Sequence, residues 1–130
     1  MKQATRVGRM KALIVDDSKA ARMLMSRMLK SLGFDVVEAA NGQEGLDRLQ
    51  ECEDISFVVL DWIMPVMGGL EFIRELRSQA RYGSLPVLMV TTQTKRDGVV
   101  EALEAGVDEY LMKPFDVHAV RQKLELLNLV

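Results

Sequence analysis

The sequence predicts a three-layer, doubly wound α/β sandwich, with a five-stranded parallel sheet of order 2-1-3-4-5 and five helices. Three observations point to it. Apolar and amphipathic segments alternate five times along the 130 residues, with no internal repeat and no low-complexity stretch. Ala12-Leu13-Ile14-Val15 and Phe57-Val58-Val59-Leu60 are short continuous apolar runs, as expected of parallel strands buried on both faces. Strands joined by helices imply parallel pairing through right-handed crossovers.

The elements follow in order. Strand one is expected at 11–15. Ser18 caps a helix reaching about residue 31, with Met23, Leu24, Arg27, Met28 and Leu29 as its stripe, and Gly33 ends it. Strand two covers about 34–39, Asn41-Gly42 make a turn, and helix two covers 43–51. Strand three is expected at 56–60, followed by a long loop over 61–69 and helix three over about 70–79. Pro86 opens strand four at 87–91. Helix four covers about 95–105 and stops at Gly106. Gly98, Val99 and Val100 are poor helix formers near its start; they are either buried by packing or leave that helix labile. Strand five covers about 108–112 and precedes Lys113-Pro114, and helix five runs over about 116–127.

Composition narrows the function. The length suits one core, and residues 10–130 are read as a single domain without an output domain. Residues 1–9 are read as a disordered extension; Lys2, Arg6 and Arg9 lie there without the apolar stretch of a secretory signal. No apolar run approaches the roughly 18 residues of a membrane span. A net charge of −2 argues against general nucleic-acid binding. The single Cys52 excludes an internal disulfide and suits the cytoplasm. Nine methionines are many, but Met23, Met28 and Met89 fit core positions as flexible filler. His118, the only histidine, is expected to be an exposed helix residue. The chain is expected to be a monomer with no membrane partner.

The chemistry lies at strand ends. Asp16 and Asp17 follow strand one and Asp61 follows strand three, so three carboxylates converge at the carboxyl edge of the sheet, where ligands bind in open α/β folds. At about 4 Å and an effective dielectric of about 20, each like-charged pair costs roughly 4 kcal/mol. An oxygen-seeking divalent cation such as Mg2+ would offset that repulsion. Taken alone, the acids also suit helix caps and turns. Thr91 ends strand four and Lys113 follows strand five. A carboxylate nucleophile, a cation site, an ammonium and a hydroxyl together suit phosphoryl transfer, whose transition state spreads charge over equatorial oxygens.

The stretches Leu13-Ile14-Val15-Asp16-Asp17-Ser18, Leu60-Asp61-Trp62-Ile63-Met64-Pro65-Val66-Met67-Gly68-Gly69, Pro86-Val87-Leu88-Met89-Val90-Thr91 and Tyr110-Leu111-Met112-Lys113-Pro114-Phe115 resemble the receiver domain of bacterial two-component response regulators. The resemblance covers about residues 10–127 and is strongest to the stand-alone chemotaxis regulators of that family.

It implies a phosphorylation-activated signalling switch rather than an enzyme with an external substrate. Asp61 would accept a phosphoryl group from a phosphohistidine on a histidine kinase or histidine phosphotransfer protein. Asp17, Asp61 and the Ile63 backbone carbonyl would hold Mg2+, with Asp16 acting mainly through a coordinated water. Lys113 would contact the phosphoryl group, while Thr91 and Tyr110 would form the switch. The Lys113–Pro114 bond would be cis. Thr94, Arg96, Tyr110 and Lys123 would lie on the partner face of helix four, strand five and helix five, which would meet a target such as a flagellar motor switch protein.

Two residues depart from the family's habit. Ile63 stands where a polar side chain is frequent, which bears on hydrolysis, although Gln93 offers another polar contact. Gly68 stands where Asp is frequent. Trp62 is expected on the rim of the site.

Other functions share parts of this pattern. A phosphorelay intermediate or kinase regulator of the same fold is the nearest. An aspartyl-nucleophile phosphatase would need a second acid two residues after Asp61, where Ile63 stands. A flavin carrier would need a phosphate loop after strand one, and Asp16-Asp17 would repel the phosphate.

Overall fold

The computed structural model describes residues 9–64, 66–92 and 96–130, without the side chains of Arg96 and Asp97. The expected extension therefore lies outside the described residues, apart from Arg9, whose Nε stands 3.3 Å from Asp35 Oδ1. Pro65, Gln93 and Thr94 are likewise outside them.

The strands are β1 (Lys11–Val15), β2 (Asp35–Ala39), β3 (Ile55–Asp61), β4 (Val87–Thr91) and β5 (Glu109–Met112). The helices are α1 (Lys19–Ser31), α2 (Gly42–Glu51), α3 (Gly69–Arg77), α4 (Arg96–Ala105) and α5 (Val117–Leu126), with a 3-10 turn at Ala80–Tyr82. The sheet order is β2-β1-β3-β4-β5, and every described pairing is parallel.

Local chemistry sets the helix starts. The Ala21 amide donates to Ser18 Oγ at 3.2 Å, the Glu44 amide to Asn41 Oδ1 at 2.9 Å and the Ala119 amide to Asp116 Oδ1 at 2.9 Å, so α1, α2 and α5 each begin with a side-chain cap. Gly33 and Gly106, just beyond α1 and α4, take φ of +99° and +121°, the left-handed region in which a side chain is strained.

Alternation along the strands builds two cores. Leu13, Val15, Val58, Leu60 and Met89 face one side and pack with Leu49, Phe72, Ile73, Leu76 and Ala102 from α2, α3 and α4. Ala12, Ile14, Phe57, Val59 and Val90 face the other and pack with Met25 and Leu29 of α1 and Val120 and Leu124 of α5. Fully burying one such large apolar side chain is worth about 1.5–3 kcal/mol.

Several expected details shift. β3 extends one residue past the apolar run to include Asp61, because Asp61 pairs with Val90 and the Trp62 amide donates to the Val90 carbonyl at 3.1 Å. α3 closes at Arg77, where the chain passes into the 3-10 turn. The stripe of α1 is displaced: Met25, Ser26 and Leu29 are buried, whereas Met23 is 45 % exposed and Leu24 51 % exposed. Helical direction puts Met25 and Leu29, four residues apart, under the sheet and turns Met23 to solvent. Met89 is buried as expected, and His118 is exposed on α5.

Candidate functional site

The register brings the site together. Val15 pairs with Leu60, so the residues that follow them, Asp16 and Asp61, stand side by side at the carboxyl edge. The carboxylates of Asp16, Asp17 and Asp61 each offer an oxygen within 4.8 Å of the others. Asp16 and Asp61 are buried and Asp17 is exposed. Lys113, just beyond β5, reaches inward and sets its Nζ 3.5 Å from Asp61 Oδ1.

Asp16 is held at three points. Its amide donates to the Ala39 carbonyl at 3.1 Å. Its Oδ1 accepts from the Ser18 amide at 2.9 Å. Its carbonyl accepts from Arg22 Nη1 at 2.7 Å. Asp16 is therefore part of a rigid turn as well as of the acid cluster.

The electrostatics of the edge show in Asp61, whose carboxyl is pushed up to about 6, first by burial and then by Asp16 and Asp17, against the opposing pull of Lys113. Two buried carboxylates and an exposed one, facing the Lys113 ammonium, leave net negative charge in a poorly solvated place. Hard carboxylate oxygens at this spacing fit a divalent cation with oxygen preference, and the Ile63 backbone carbonyl lies on the loop that follows the cluster.

Thr91 is 1 % exposed at the end of β4. It is paired with Met112, and its carbonyl accepts the Lys113 amide at 2.9 Å. Tyr110 is paired with Met89. Side chains alternate along a strand, so Thr91 and Tyr110 share one face of the sheet on adjacent strands. Tyr110 is half-buried against the core on that face. Lys123 Nζ lies 4.7 Å from the centre of its ring and 3.1 Å from Glu109 Oε1. Of the expected partner face, Thr94 and the Arg96 side chain are outside the described residues.

Ile63 is 63 % exposed. Trp62 is a correction, because it is buried within the core. The Gly69 amide donates to the Trp62 carbonyl at 3.0 Å, and any Cβ on Gly69 would collide with the indole. The loop thus folds back over Trp62 through a glycine, a closure that the strand pattern does not announce. Arg22 also belongs to this edge through the Asp16 carbonyl; its one signal in the sequence is a cation in the N-terminal part of a helix, against the helix dipole.

The comparisons agree with this geometry. Residues 12–125 match the family model of the response regulator receiver domain. The chain is 42 % identical over 117 residues to a Campylobacter jejuni chemotaxis protein CheY homolog, covering 89 % of this chain and 90 % of the relative. It is also 42 % identical over 117 residues to the chemotaxis protein CheY of Pseudomonas aeruginosa, covering 89 % and 94 %. The solved structure of Vibrio cholerae CheY4 superposes with a TM-score of 0.85 at 33 % identity, covering 95 % of this chain and all of that one. The receiver domain of a sensor histidine kinase from Pseudomonas aeruginosa, described with a magnesium ion coordinated in its active-site cleft, superposes at 0.82 with 25 % identity, covering 92 % and 97 %. Motif order, sheet order and near-complete coverage lead to the same place: this chain belongs to the response regulator receiver domain family.

Proposed function

We propose that the chain is a phosphorylation-activated signalling switch of the chemotaxis type, with Asp61 as its phosphoacceptor. The observation that carries this reading is the acid cluster of Asp16, Asp17 and Asp61 with Lys113 at 3.5 Å from Asp61. In the reaction, an Asp61 carboxylate oxygen attacks the phosphorus of a phosphohistidine on a partner kinase or phosphotransfer protein. The new O–P bond forms as the N–P bond breaks, and the imidazole leaves with the bonding pair. Lys113 follows the charge onto the transferred oxygens. Asp17, Asp61 and the Ile63 carbonyl would hold Mg2+ directly and Asp16 through water. Mg2+ supplies charge neutralisation for the phosphoryl oxygens. An apolar cleft of about 280 Å³ beside Asp16 and Lys113, lined by Leu24, Met25, Pro114 and Phe115, leaves that side of the edge open.

Output runs through Thr91 and Tyr110 to α4, β5 and α5, whose partner would be a protein such as the flagellar motor switch. The protein acts in the cytoplasm as one domain spanning 10–130, and among the described residues no helix is long and apolar enough to cross a membrane. Intact-mass measurement after incubation with acetyl phosphate and Mg2+ tests the reading. A phosphoryl adduct is expected in the parent and absent in Asp61→Asn; equal yield in the variant would place the chemistry elsewhere.

A further inference from the structure

We propose that Arg22 is a positioning residue for the acid cluster: its guanidinium holds the Asp16–Asp17 peptide in the orientation that cation binding requires. The inference rests on the metal-site reading above and adds a residue outside the acid set.

Arg22 lies in α1 with only 15 % of its side chain exposed. One arm, Nη1, donates to the Asp16 carbonyl at 2.7 Å. Nε donates to Glu38 Oε1 of β2 at 3.1 Å. The guanidinium is planar and rigid, so the Glu38 contact sets the direction from which Nη1 meets the carbonyl. That carbonyl belongs to the peptide whose amide nitrogen is Asp17's own. Fixing the peptide plane sets the Asp17 Cα and so constrains where its side chain leaves the backbone. Asp17 is the exposed member of the cluster, and among the described residues its side chain makes no hydrogen bond or ion pair. Its aim at Asp61 comes from the backbone beneath it.

The sign of the effect separates positioning from simple electrostatics. A cation beside three carboxylates lowers their attraction for a second cation. If Arg22 acted only through its field, removing its charge would tighten Mg2+ binding. If it acts by holding the peptide, removal loosens binding, by about tenfold on the scale of groups that orient metal ligands.

The test is a Mg2+ titration of the full chain followed by the fluorescence of Trp62, the single tryptophan, which adjoins Asp61. Parent, Arg22→Met, Arg22→Lys and Asp17→Asn are compared, with urea melts of the metal-free proteins to verify folding. Arg22→Met should bind Mg2+ about tenfold more weakly. Arg22→Lys keeps the charge and loses the fork, so it should also bind more weakly, and it serves alone if Arg22→Met does not fold. Unchanged or tighter binding in the folded Arg22 variants would overturn the inference while leaving the metal site intact. A parent that binds no Mg2+ would overturn the metal-site reading itself and the inference with it.

Discussion

Lys113 Nζ stands 3.5 Å from Asp61 Oδ1, yet the Asp61 carboxyl is pushed up to about 6. The ammonium loses to burial and to Asp16 and Asp17, so in the metal-free protein Asp61 is a destabilising charge. In the unfolded chain the group titrates near 3.8. Between that value and about 6 the folded chain keeps a proton that the unfolded chain has released, so this group's contribution to stability falls as pH rises through the window and stays low above it. Asp61→Asn should therefore be more stable than the parent by about 3 kcal/mol at neutral pH in EDTA, and the difference should vanish below about pH 4. Denaturant melts of both proteins across pH check this; a constant difference would assign the gain to something other than ionisation.

The same excess charge predicts a response to metal. Mg2+ should raise the melting temperature of the parent, because it binds the assembled cluster and not the unfolded chain. Asp17→Asn should lose that rise, and without metal it should melt no lower than the parent. A full Mg2+ response in Asp17→Asn would remove Asp17 from the ligand set.

Ile63 bears on the lifetime of the phosphorylated state. Its side chain, two residues after Asp61, is 63 % exposed and has no group to orient an attacking water. Ile63→Asn should hydrolyse its phosphoryl group several-fold faster at fixed pH and Mg2+, within the modest range of single positioning contacts. Decay of the phosphorylated species followed by intact mass gives the answer, and equal or slower decay would show that Ile63 is not the brake.

Transmission should depend on Thr91 and Tyr110, which share a sheet face on paired strands. Thr91→Ala should still accept phosphate but lose the distant response; Tyr110→Ala should lose it less completely. Two-dimensional NMR of the beryllofluoride-treated protein should show shifts in α4, β5 and α5 for the parent, and shifts near Asp16 and Asp61 alone for Thr91→Ala. A parent confined to those near shifts would instead indicate that partners read the phosphorylated site directly. Phosphorylation should then shift a pre-existing two-state equilibrium rather than build a new site.

The strands and the acid edge were legible because their signals are local. Continuous apolar runs mark strands buried on both faces, and Asp16, Asp61, Thr91 and Lys113 each stand at the end of such a run. What escaped depends on contacts across the fold. Trp62 is buried because the chain returns through Gly69 to cover it. Arg22 matters for a backbone carbonyl, which no side-chain pattern encodes. Met23 and Leu24 look like core in a helical stripe, but the angle at which α1 meets the sheet favours Met25 and Leu29.

The extra residue on β3 has a mechanical consequence. Asp61 is the last rung of the ladder, tied through Val90 on one side of the sheet and followed by an amide that is also bonded to Val90. Its backbone is an anvil: a group fixed to its carboxylate cannot be accommodated by the strand giving way. Whatever volume arrives there must be taken up by the side chains opposite. A rigid acceptor at this position would convert a small chemical addition into displacement elsewhere, and softening that rung should yield a protein that takes the mark and carries no message.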